Sequence, residues 1–148
     1  MRWKQIPTVA TINILVIVDV RGANTRGQGG LANNVWMLDS GKYNGTRNGG
    51  HELATNLNAG DRIIWSLAAI DPGTNLVFPS NTPSFTGQAV QAHIINPKQN
   101  PADPGQHVAI FEVPAGTAAG TRYQYSMVLS MGGVTQSLDP VLNLWTET

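Results

Sequence analysis

The chain contains no cysteine, which excludes disulfide staples, thiolate metal sites and a cysteine nucleophile. Charge is scarce as well. Lys, Arg, Asp and Glu make up 12% of the residues, against roughly 25% in an average soluble domain. Nine basic residues cancel nine acidic ones to a formal net charge of +0. No Lys/Arg cluster exists to neutralise phosphates, so nucleic acid is an unsuitable partner. No stretch approaches the roughly 18 apolar residues of a membrane-spanning helix, so no membrane partner is expected either. Arg2 and Lys4 ahead of an apolar run imitate a secretory signal, but Pro7, Asn13 and Asp19 interrupt it and no small-residue cleavage pattern follows. The expected compartment is the cytoplasm.

Motifs that carry chemistry are also missing. His51, His93 and His107 lack the spacing of metal ligands, and a structural role is expected for each. Asp71, Asp103 and Asp139 each precede a proline, where Asp caps turns through its own side chain. Asp61, after Asn58-Ala59-Gly60, reads as turn chemistry too. No pair of carboxylates is placed for acid/base work. The serines offer no G-x-S-x-G elbow. Gly27-Gln28-Gly29-Gly30 lacks the Gly-Lys-Ser/Thr ending of a phosphate cradle and reads as a flexible loop. Asn44-Gly45-Thr46 matches a glycosylation sequon, which has meaning only on secretion. No catalytic residue, cofactor or metal ligand is assigned, and the chain is not expected to be an enzyme.

What the sequence has is strands. In Thr11–Val20, Ile12, Ile14, Val16, Val18 and Val20 recur at period two. β-branched residues are stiff at χ1 and suit a pleated strand. One wholly apolar face and one half-apolar face predict a central strand against a core, its second face partly covered. Further strands are predicted through Val35–Leu38, His51–Leu57, Arg62–Ile70, Gln88–Ile95, His107–Val113, Arg122–Met131, Val134–Ser137 and Val141–Trp145. Turn signals separate them, among them Asn44-Gly45, Asn48-Gly49 and Gly132-Gly133. Asp71–Asn75 reads as a turn, and residues 76–87 and 96–106 read as irregular loops. Neither an amphipathic helix nor an internal repeat is apparent. Length predicts a single domain over residues 1–148. The expected fold is all-β: a two-sheet antiparallel β-sandwich, immunoglobulin-like or jelly-roll-like, with little or no helix.

Aromatic residues offer two further readings. Tyr123 or Tyr125 suits a tyrosine corner, tying a crossing between sheets back to the backbone, or is an ordinary core-edge aromatic. Trp36 and Trp65 lie inside apolar strands and are expected in the core. Tyr43, with the neighbouring Asn44 and Asn48, forms the loop group suited to a sugar or other small ligand.

Several stretches together resemble the bacterial inclusion-body protein family that includes PixA and AidA. They are Ile14-Leu15-Val16-Ile17-Val18-Asp19, Asn34-Val35-Trp36-Met37-Leu38, Ala59-Gly60-Asp61-Arg62-Ile63-Ile64-Trp65-Ser66, Tyr123-Gln124-Tyr125 and Leu138-Asp139-Pro140-Val141-Leu142. The resemblance implies an intracellular β-sandwich that self-associates and has no established enzymatic activity. One departure is methionine: such proteins can be methionine-rich, whereas this chain has four, which argues against a storage role.

Two functions follow as expectations. The first is homo-oligomeric assembly, for which low charge density and zero net charge remove the usual repulsion between copies. The second is a carbohydrate- or small-ligand-binding module using the loops Gly22–Leu31 and Gly41–Gly50.

Overall fold

The computed structural model describes residues 9–43, 49–79, 83–87 and 92–146, apart from the side chains of 95 and 96. In chain order its strands are β1 (Thr11–Val18), β2 (Val35–Asp39), β3 (Ala54–Leu57), β4 (Arg62–Ala69), β5 (Leu76–Val77) and β6 (Phe85–Thr86). They continue as β7 (Ile94–Asn100), β8 (Asp103–Phe111), β9 (Arg122–Gln124), β10 (Ser126–Met131), β11 (Val134–Leu138) and β12 (Val141–Leu144). The expected all-β, sandwich-like fold is what these strands build.

One layer is a five-stranded sheet in the order β2-β1-β4-β8-β7. On β1, Ile12, Ile14, Val16 and Val18 are each at most 1% exposed, as their alternation predicts. β1 lies between β2 and β4, and the ladder with β4 is parallel over its whole length, from Thr11 opposite Arg62 to Val18 opposite Ala69. A second parallel pair joins β12 to β3; the other ladders are antiparallel.

The other layer is held by one long hairpin. Met127 faces Leu138 where β10 pairs β11, and Gln124 faces Val141 where β9 pairs β12. The register is therefore the same on both sides of the interruption between them. At the interruption Tyr125 donates its N–H to Pro140 O at 3.1 Å. Proline has no N–H to return the bond, so the ladder breaks there although the arms stay aligned. β3 flanks this hairpin beside β12, while β5 and β6 lie in line along β10.

Aromatic side chains fill the space between the layers. Trp65 is fully buried and donates its indole N–H to the Tyr125 hydroxyl at 3.0 Å. Phe85 lies 4.5 Å from Trp65 between ring centres, and the buried His107 ring presents its edge to Phe78 at 4.4 Å. His107 Nδ1 has no hydrogen-bond partner among the described residues. Burial lowers its pKa from 6.5 to about 4.

Several local features differ from the sequence expectation. Val20 begins a short helix, α1 (Val20–Asn24), because the Asp19 carboxylate accepts the Gly22 N–H at 3.0 Å and caps it. A Cβ at Gly22 would press on Asn34 Oδ1 and the Asp19 carboxylate, so a larger residue there would displace the capping side chain. His51 lies in a 3-10 turn, Gly50–Glu52, before β3 begins at Ala54. His93 lies in a helical turn and not in a strand, while positions 88–91 of the strand expected there lie outside the described residues. The expected loop at 96–106 is instead the β7–β8 hairpin, and the expected irregular segment contributes β5 and β6. Pro97 disguised β7: a proline is tolerated on an edge strand, and here it coincides with a register shift between Ile95 and Lys98. The Tyr125 hydroxyl accepts from Trp65, an indole in the opposite layer. Trp36, expected in the core, is 47% exposed on the outer face of β2.

Two measurements check this core. Val16→Asp, which places an unpaired carboxylate at a fully buried position, is expected to cost more than about 4 kcal/mol and abolish the folding transition; a soluble variant with an unchanged melting temperature would show the strand to be misplaced. The second concerns His107. Between pH 6.5 and about 4 the unfolded chain takes up a proton that the folded chain refuses. Its contribution to stability is therefore complete above pH 6.5 and declines as pH falls toward 4. Melting temperatures of the wild type and His107→Phe, compared from pH 7.5 to 5, should show a smaller loss on acidification in the variant.

Candidate functional site

Tyr43 was the aromatic member of the loop group suited to a sugar; Asn44 and Asn48, its proposed partners, lie outside the described residues. The Tyr43 ring is half-buried and stacks on Trp145 with centres 6.5 Å apart and planes 16° from parallel. Burial and a hydrogen bond to Asp61 raise its hydroxyl pKa. Asp61 is 1% exposed and also accepts the N–H groups of Ala10, at 3.0 Å, and Asn58, at 2.9 Å. The turn expected at Asp61 is thus a buried carboxylate that gathers three donors. Tyr43 is committed to it through its hydroxyl and to Asn56 Nδ2 through its carbonyl.

The exposed member of the stack is Trp145, at 41%. With Asn56, Gly120, Arg122 and Asn143 it lines a shallow groove of about 440 Å³. Asn143 Nδ2 donates to Asn56 Oδ1 at 3.4 Å. Sequence reasoning reached Tyr43 but missed its pairing with Trp145, because no local pattern connects the loop after β2 with the end of β12. The other loop proposed for binding, Gly22–Leu31, is fastened to the hairpin layer. Gln136 accepts the Leu31 N–H at 2.7 Å and donates to Ala23 O at 2.9 Å, while Asn24 donates to Met131 O at 3.0 Å.

A second groove, of about 590 Å³, holds His93, Arg122, Tyr123, Ser126 and Asp139. It brings a histidine and a carboxylate to one cleft, but each is otherwise engaged. His93 donates from Nδ1 to Glu112 O at 2.8 Å and packs on Tyr123 with ring centres 4.1 Å apart. Asp139 accepts the Ser126 hydroxyl at 2.6 Å. No hydrogen bond joins the two among the described residues. Among those residues, too, no three His, Asp or Glu side chains come together to hold a metal.

The third region is the outer face of the five-stranded sheet. Leu15, Trp36 and Leu38 are between 36% and 47% exposed, and they form one strip: Trp36 is opposite Ile17, and Leu38 is opposite Leu15. Toward β7 the face hollows into an apolar groove of about 740 Å³ lined by Arg62, Ile64, Lys98, Val108 and Ile110. In the paired rows, Ile64 is opposite Val108, which is opposite Lys98.

Among the described residues no helix is long and apolar enough to cross a membrane. No curated protein sequence matches the chain. In three dimensions it is similar to the crystal structure of an inclusion body protein, PixA, from Burkholderia cenocepacia J2315. The two share 13% sequence identity, with a TM-score of 0.52 over 98% of this chain and 99% of that one. The likeness at this identity is one of fold, and it agrees with the resemblance read from the strand and turn stretches. A family model matches residues 10–137, and the chain belongs to that family, described as a domain of unknown function (DUF8788).

Proposed function

We propose that the chain is a non-enzymatic, PixA-like protein of the bacterial cytoplasm that acts through homo-oligomeric assembly, in the manner of an inclusion-forming protein. The observation that carries this reading is the outer face of the five-stranded sheet. Leu15, Trp36 and Leu38 are each at least 36% exposed there and adjoin one another, while Ile110 is exposed on the far side of Arg62. A contiguous apolar strip on a chain with 12% charged residues and no net charge favours association with copies of itself. The fold likeness to PixA along the whole chain supports the same reading. A methionine store is not part of it: Met37, Met127 and Met131 are fully buried and serve the core.

A second reading, a carbohydrate-binding module, is favoured by one feature. Trp145, backed by Tyr43, offers an exposed aromatic face beside the Asn56 and Asn143 amides and the Arg122 guanidinium.

Light scattering on purified protein at micromolar concentration in moderate salt should give a mass at least twice the 15.8 kDa of the chain; a sharp monomer would remove the assembly reading. For the second reading, a glycan array should show a binder for the wild type that Trp145→Ala loses. An array with no binder, or an unchanged signal from the variant, would leave the groove a feature of packing alone.

A further inference from the structure

We propose that the outer face of the five-stranded sheet docks a second copy of this chain as a closed two-fold dimer, in which Trp36 of each copy enters the groove of the other. This inference rests on the assembly reading above and names its surface. The projection and the recess lie on the same face at opposite sides. Trp36 stands on β2, one edge strand, and is 47% exposed. The groove, of about 740 Å³, lies across β4, β8 and β7, toward the other edge. A two-fold axis lying in the plane of the face exchanges the two sides, so a single rotation seats both tryptophans at once and leaves neither groove open.

The chemistry of the two ends is complementary. The floor of the groove is Ile64, Val108 and Ile110, and its flanks are Arg62 and Lys98. An indole would bury its body on the aliphatic floor and set its ring face beside cations, the arrangement that cation–π attraction rewards most for tryptophan. Without a partner, the same arrangement leaves a tryptophan and a strip of leucines in water. The dimer uses nearly the whole of this face. Five strands about 4.8 Å apart and about eight residues long cover roughly 500 Å² in plan, and more in accessible surface. A standard interface takes about 800 Å² from each partner. Sheets stack face to face in this way inside sandwiches, with interdigitating side chains.

The experiment is light scattering on the full chain and three variants, with circular dichroism melting as the check on folding. Trp36→Lys sets a third cation against Arg62 and Lys98, and Ile110→Lys places a charge on the floor of the groove. Both positions are exposed, so both variants should melt like the wild type while the dimer weakens by at least about thirtyfold, as truncation of an aromatic anchor does. Val134→Lys, at an exposed position on β11 in the other layer, should leave the mass unchanged. A wild-type dimer that persists in folded Trp36→Lys and Ile110→Lys overturns this surface and leaves assembly standing through another one. A wild-type monomer overturns both. If deleting residues 1–8 turns such a monomer into a dimer, the face is covered by the chain's own leading segment instead.

Discussion

The two layers depend on the meeting of Trp65 and Tyr125. Trp65 is at the centre of the five-stranded sheet, and Tyr125 stands where the long hairpin interrupts its ladder. Both are almost fully buried, and the indole N–H reaches the phenol oxygen across 3.0 Å. An indole N–H left without a partner in an apolar core costs about 1–3 kcal/mol, so this contact does more than fill space. It permits one face-to-face placement of the layers and penalises a slide in either direction. Burial pushes the Tyr125 hydroxyl well above its ordinary pKa, which keeps the phenol neutral throughout the physiological range. Phe78, Phe85 and His107 close around the pair with ring edges and tilted faces, the arrangement that aromatic quadrupoles prefer.

The hairpin makes that meeting possible. Pro140 removes one donor, and beside the break Ser126 donates to Asp139 at 2.6 Å. The same hairpin holds the glycine-rich loop through Gln136, so the segment after α1 is ordered by a side chain more than a hundred residues away. Local chemistry and long-range pairing thus support one another along the second layer.

Much of the fold was legible because strands have a period of two. The faces of β1, β4 and β10 could be read directly: the inward residues of β1 and β10 are buried as alternation requires, and on β4 Ile63 and Trp65 are buried while Leu67 and Ala69 are partly so. What failed had physical causes. Trp36 was assigned to the core because its strand is apolar on both faces, and periodicity cannot say which of two apolar faces is left outside. The β7–β8 hairpin was hidden by three prolines, which an edge strand and strand ends accommodate. The parallel pairing of β1 with β4 and of β3 with β12 has no signature in either strand alone. The site was less legible than the fold. Tyr43 could be singled out as a loop aromatic, but its commitment to Asp61 and Trp145 is set by topology, which brings together the ends of strands far apart in the sequence.

The proline in β7 has a consequence for growth. A sheet edge is a template: an incoming strand can continue the ladder if it meets an unbroken row of donors and acceptors. β7 is such an edge, but Pro97 interrupts its donors in mid-strand and the register shift beside it skews the backbone. Pairing that starts at one end of β7 would stall within a few residues. Lateral extension, the route to cross-β fibres, is thereby discouraged on that side, so densely packed copies of this protein would remain folded molecules rather than merge into one continuous sheet.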